Sequence, residues 1–157
     1  MDGGVRMLNS ISKLLTGEIL HVLSDMGHGD VLILADGNFP AASVAKSTIY
    51  GKAIELPGVD VADVFAALSP LFPIDVAYSE APIAVMDLTD SDKAKGMARP
   101  DAWADFESIL QERYPDSELS LIERYDFYAA AAKAYAIIHT GEERQYGNLL
   151  LVKGVVL

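Results

Sequence analysis

No cysteine occurs among the 157 residues, which excludes disulfides, thiolate metal sites and a cysteine nucleophile, and fits a reducing, cytoplasmic setting. Long apolar runs are missing too. Without a stretch of about 18 or more apolar residues no transmembrane helix is expected, and Met1 to Asn9 lacks the apolar core of a secretion signal. Positive charge is scarce: 12 Lys and Arg stand against 23 Asp and Glu, a net charge of -11 that no basic run relieves. Nucleic acid and anionic membrane surfaces are therefore not expected as partners. The nucleotide fingerprints G-x-G-x-x-G and G-x-x-x-x-G-K-[ST] are absent, as is the G-x-S-x-G of α/β-hydrolases. His21, His28 and His139 show neither H-x-H nor H-E-x-x-H spacing, so no metal site is expected.

What is present suffices for one core. Apolar residues make up 51% of the chain, and its length fits a single domain. Thr16 is a fair N-cap for a helix carrying Ile19, Leu20, Leu23 and Met26 at helical spacing, with Gly27 as its C-cap glycine. Val31 to Ala35 is wholly apolar, as strands covered on both faces by helices are. Further strands are expected over Lys52 to Leu56, Ile83 to Leu88, Glu118 to Glu123, Tyr135 to His139 and Leu149 to Val156. Helices are expected over Val61 to Leu71, from Pro100 to Tyr114, and from an Asp126 cap to Lys133. Thr89 to Arg99 reads as loop. The pattern is that of a single layered α/β domain with a mainly parallel central sheet flanked by helices. Met1 to Val5, with Gly3 and Gly4 and no periodicity, reads as a loose leader, placed at residues 1–10 ahead of a domain over 11–157.

Three polar clusters punctuate this frame. In Met26-Gly27-His28-Gly29-Asp30 two glycines leave an imidazole on a short turn just before the apolar strand. Beyond the strand comes Asp36-Gly37-Asn38-Phe39-Pro40, where ligand loops of α/β sheets are found. Near the C-terminus, Tyr146-Gly147-Asn148 opens the apolar run from Leu149. Each residue also has an ordinary reading. His28 could bond a neighbouring carbonyl, Asp36 could cap the next segment, and Arg124 could pair with Glu123 or Asp126 on the surface. Tyr128 could simply pack, and Asn148 could be a turn residue. His21 reads as a partly exposed or core-edge residue of its helix, and His139 as the end of a strand.

Taken together, these three clusters and Arg124-Tyr125-Asp126-Phe127-Tyr128 resemble the ribose pyranase and fucose mutarotase family, with order and spacing kept from about Ile11 to Val155. Asn38-Phe39-Pro40, the Arg124 to Tyr128 segment and the glycine between Tyr146 and Asn148 bring the chain closer to the fucose mutarotase branch. The resemblance implies that family's layered α/β fold and a cofactor-free isomerase that interconverts the α and β anomers of a free monosaccharide, with L-fucose favoured. It also implies a ring-shaped homodecamer of two stacked pentamers, with sugar sites at subunit boundaries. By match of motif, His28 takes the proton-donor role, and Asp36, Arg124, Tyr146, Gly147 and Asn148 fall on substrate-binding positions. The chain departs from the pattern in its longer leader and in a longer, more charged region between Leu88 and Pro115.

The residue types suit the reaction. Anomer exchange needs a proton delivered to the ring oxygen while the anomeric hydroxyl loses one, then rotation about C1–C2 and reclosure. Histidine titrates near neutrality and serves both directions. Asp36 and Asn148 can hold sugar hydroxyls, and Arg124 adds fixed donors. Tyr146, Asp36 and a bound water stand open as acceptors of the anomeric proton. Two rival readings use the same groups: a non-catalytic sugar-binding or sensor protein, and a metal-assisted isomerase in which His28, Asp36 and His139 converge on one ion.

Overall fold

The computed structural model describes residues 7–157, so Met1 to Val5 of the expected leader lie outside the described residues. The first helix, α1 (Gly17–Asp25), starts where its sequence directs: Thr16 Oγ1 accepts the N–H of Ile19 at 3.2 Å, and Ile19, Val22 and Leu23 point into the core. Its end differs from expectation. Met26 leaves the helix in an extended conformation, and Gly27 is not left-handed; its N–H donates to Asp30 Oδ2 at 2.7 Å instead. The left-handed glycine of this turn is Gly29, at φ 87°.

The chain continues through β1 (Val31–Ala35), α2 (Ala41–Val44) with a 3₁₀ turn at Ala45–Ser47, β2 (Ile54–Leu56), α3 (Val61–Leu68) and β3 (Ile83–Met86). Then come α4 (Asp90–Ala94), α5 (Asp101–Arg113), β4 (Ser120–Ile122), α6 (Arg124–Ala132), β5 (Ala136–Thr140) and β6 (Leu149–Val152). Two expectations are corrected. The segment taken as loop contains α4, which buries no residue and so has no apolar stripe to betray it; Thr89 caps it by accepting the N–H of Asp92. Helix α6 begins two residues before Asp126, because the Glu123 carboxylate accepts the N–H of Tyr125 and so caps it earlier. α2 was not expected.

The strands form one sheet in the order β2-β5-β1-β6-β3-β4. Strand β6 runs antiparallel to its neighbours β1 and β3, and the other pairings are parallel, so five strands share one direction. Alternation along the strands divides the core. Leu32, Leu34, Ile138 and Leu151 face α1, α3 and α5, whose Phe65 and Phe106 are fully buried there. Ile33, Ala35, Ile137 and Leu150 face α2 and α6, packed on Phe39 and Phe127. The result is a single three-layer α/β/α domain with a mainly parallel sheet, its apolar strands covered on both faces.

This topology creates two polar rims. At one, the carboxyl ends of β1, β3, β4 and β5 meet the beginning of antiparallel β6. At the other, the turns before β1 and β3 meet the end of β6.

Candidate functional site

The first rim holds an open cleft of about 480 Å³ lined by Asp36, Arg124, Tyr128, Tyr146 and Asn148, with Thr89 and Asp92 from the α4 region. Asp36, 4% exposed, follows β1 directly. Its Oδ1 accepts the N–H groups of Asn38 (3.1 Å) and Phe39 (2.9 Å), its Oδ2 accepts that of Gly147 (3.3 Å), and its own N–H donates to Asn148 Oδ1 at 2.7 Å. Asp36 thus also ties the loop before β6 to the end of β1. Burial pushes its carboxyl above the usual range, against the three backbone donors, and the nearby Glu142 charge adds to the rise.

Gly147 packs tightly at this crossing. A Cβ there would lie 2.7 Å from Glu142 Cγ and 3.1 Å from the Arg144 carbonyl oxygen. Tyr146, just before it, has φ 59°, a left-handed conformation that costs a non-glycine residue about 1–2 kcal/mol. Trp103 Nε1 holds the Tyr146 carbonyl at 2.9 Å, and the phenol reaches across the cleft to Asp92 Oδ2 at 2.5 Å. Beneath the loop Glu142 is buried with Arg144, whose Nε and Nη2 donate at 3.1 and 2.9 Å. Burial works against the ionised Glu142, but the hydrogen bonds and charge of Arg144 outweigh it and hold the carboxyl below its ordinary range.

Arg124 opens α6 at the cleft wall, its guanidinium 5.6 Å from the Tyr128 ring centre and 5.9 Å from that of Tyr125. Neither surface pair considered for it from sequence forms: among the described residues Arg124 enters no ion pair, and its exposed side chain lines the cleft. Tyr128 does line the cleft while stacking on Phe39 at 5.4 Å.

His28 is elsewhere. It precedes β1 on the opposite rim, with the five strand residues, on the order of 15 Å of sheet, between it and Asp36. Its Nε2 lies 3.1 Å from Oδ2 of Asp75, a side chain only 5% exposed, and its ring meets that of Tyr78 at 5.2 Å between centres. The turn is pinned to the end of β6: Gly29 N–H donates to the Lys153 carbonyl, and Lys153 N–H to that of Asp30, both at 2.8 Å. Lys153 Nζ in turn satisfies the Leu23 and Met26 carbonyls at the end of α1. The ring remains 43% exposed, so this histidine is fixed on one side and open on the other.

One chain therefore brings Asp36, Arg124, Tyr146 and Asn148 to one cleft, with Gly147 buried in the loop behind it, and leaves His28 outside. His21 pairs with Asp25 on the surface of α1, and His139 meets Glu55 at the β2 edge. Among the described residues no three His, Asp or Glu side chains gather as metal ligands. Asp75, Tyr78 and Asp92 escaped sequence reading. The only local signal for any of them is the Thr89-x-x-Asp92 capping pattern.

The chain is similar to known proteins over nearly its whole length. Residues 9–156 match the RbsD / FucU transport protein family. The chain is 43% identical over 150 residues to a fucose mutarotase of Danio rerio, covering 96% of this chain and 95% of that protein. A fucose mutarotase of Homo sapiens is 42% identical over 149 residues, with 95% and 94% covered. Among solved structures, the fucose mutarotase of Streptococcus pneumoniae in complex with L-fucose superposes with a TM-score of 0.84 at 34% identity, over 96% of this chain and 100% of that one.

Proposed function

This chain belongs to the RbsD / FucU family, and on that footing we propose that it is a sugar mutarotase, an isomerase that interconverts the α and β anomers of free L-fucose without a cofactor. The observation that carries the reading is the convergence of Asp36, Arg124, Tyr146 and Asn148 on one polar cleft at the carboxyl ends of the parallel strands. Relatives named fucose mutarotase, similar over nearly the whole chain, support the same activity and substrate.

In this reading Arg124 donates hydrogen bonds to the sugar, the amide of Asn148 supplies a further donor, and Asp36 and Gly147 hold the loop that presents Tyr146 and Asn148. His28 delivers the proton that the ring oxygen needs on opening and takes it back on closure. Since His28 and the cleft occupy opposite rims of one chain, the acid reaches the sugar from a neighbouring copy. That supports a homo-oligomer with each site at a subunit boundary, which we take to be the ring-shaped decamer of two stacked pentamers that the family resemblance implies. Exposed apolar side chains beside both half-sites, Val76 and Tyr78 near His28 and Leu121 and Tyr125 near Arg124, suit such a boundary. We place the working domain at residues 11–157 and the protein in the cytoplasm; among the described residues no helix is long and apolar enough to cross a membrane.

The test is exchange NMR of anomeric protons across a panel of free monosaccharides. Acceleration greatest with L-fucose is expected. Binding without exchange would make the chain a sugar-binding protein, and no effect on any sugar would remove the reading altogether.

A further inference from the structure

The cleft contains two carboxylates that differ in what they have left to offer. Asp36 already accepts three backbone N–H groups. Asp92, on α4, is 31% exposed and accepts one strong donor, the Tyr146 hydroxyl. Its other oxygen stands 4.0 Å from Lys95 Nζ.

A phenolic oxygen has one proton to give and two lone pairs to receive. The proton of Tyr146 goes to Asp92 Oδ2, and the N–H of Thr89, 3.1 Å away, fills one lone pair. Only a single lone pair remains, and Tyr146 lines the cleft. A ligand hydroxyl that meets this oxygen must therefore donate to it. The left-handed backbone of Tyr146 and the Trp103 bond to its carbonyl keep the phenol in that orientation. Helix α4 itself buries no side chain, so polar contacts tie it to this rim rather than core packing: the Thr89 N–H and the Asp92 carboxylate to Tyr146, and Lys93 Nζ to Asp87 Oδ2 at 2.9 Å.

We propose that Tyr146 and Asp92 form a directional proton relay: Tyr146 Oη accepts the proton of the sugar's anomeric hydroxyl while its own proton passes to Asp92 Oδ2. The relay rests on the mutarotase reading and answers which group receives that proton. The step balances without oxidant or reductant. The O1–H bond breaks as a new Oη–H bond forms, and the old Oη–H bond breaks as Asp92 Oδ2–H forms. The electron pair left on O1 closes the C1=O bond, the C1–O5 bond breaks, and O5 takes a proton from the His28 imidazolium of a second copy. Reclosure on either face of C1 runs every transfer backwards. Asp92 acts through Tyr146, positioning the phenol and receiving its proton.

Asp92→Asn separates the two parts, because its amide oxygen still accepts the Tyr146 hydrogen bond but cannot take up the proton. In anomeric exchange NMR on the assembled protein with L-fucose, we expect kcat to fall at least about tenfold with KM within about threefold of wild type. Introduced into a Tyr146→Phe background, the same change adds no further loss. Wild-type turnover in Asp92→Asn, a change confined to KM, or additive losses in the double variant would each overturn the relay. A wild-type protein that accelerates no sugar overturns the mutarotase reading itself, and the relay with it, so the two failures are told apart by the wild-type arm.

Discussion

His28 Nε2 and Asp75 Oδ2 stand 3.1 Å apart, and because a carboxylate oxygen only accepts, the nitrogen facing it carries a proton and Nδ1 is the one free to meet a ligand. Asp75 is held in turn by β6, its N–H donating to the Val152 carbonyl at 3.0 Å, and Gly154 packs so close that a Cβ there would lie 2.9 Å from Asp75 Cα. The imidazole thus has an anchored side and a working side.

His28→Ala is expected to fold and assemble, since the turn is set by Gly29 and its bonds to Lys153, and to lose about 10²–10⁴-fold in anomer exchange. Asp75→Asn keeps the shape but not the full acceptor and is expected to lose about tenfold in kcat with little change in KM. Exchange at the wild-type rate in His28→Ala would remove this residue from proton transfer.

A site shared between subunits, as proposed, predicts complementation between inactive subunits. Rings assembled from equal amounts of His28→Ala and Arg124→Ala subunits should regain about a quarter of wild-type turnover, because one site in four unites an intact cleft with an intact histidine. Mixtures as inactive as their components would mean that each site is built within one chain.

Gly147→Ala sets a methyl group against Glu142 Cγ and the Arg144 carbonyl. Relief requires the loop to move, at about 1–3 kcal/mol, and takes Tyr146 and Asn148 with it. A lower thermal midpoint together with a raised KM for L-fucose is the expected pair of effects; a stable variant with unchanged KM would contradict the tight crossing.

Glu142→Gln weakens the hydrogen bonds to Arg144 and should cost about 1–3 kcal/mol at pH 7. The sign with pH follows from the lowered carboxyl of Glu142: its contribution is present above the unfolded value, about 4.3, and is lost as pH falls through the lower folded one. Asp36 works in the opposite sense, since its raised carboxyl lets stability fall as pH rises from the unfolded value, about 3.9, to the folded one. Urea unfolding of wild type and Glu142→Gln at fixed protein concentration from pH 3 to 7 should show the gap between them shrinking on acidification. A gap independent of pH would contradict an ionised Glu142 beside Arg144.

Much of the frame was legible because it is written in local chemistry. Thr16 caps α1 with its own side chain, and apolar residues repeat along α1 and α3. Ala35 ends an apolar strand at Asp36, and the cleft residues lie at such strand ends. The antiparallel course of β6 left no mark in sequence, since Leu149 to Val152 pair equally well in either direction on a sheet buried on both faces. Asp75 and Asp92 gain their meaning only from residues 47 and 54 positions away, a distance across which no sequence pattern speaks. The placement of His28 was half legible: its position before β1 was clear, but the extent of sheet separating it from the cleft follows from the straight run of that strand.

If subunits with their acid at one end of a strand and their cleft at the other share sites by joining head to tail, as proposed above, such joining leaves remainders. Two copies meeting once make a single complete site, with one cleft and one histidine idle at the free ends; an open row of any length wastes the same pair. Only closure removes the idle pair, giving as many working sites as subunits. Turnover per chain in such an assembly should therefore climb with each contact made and reach its full value only when the ring closes.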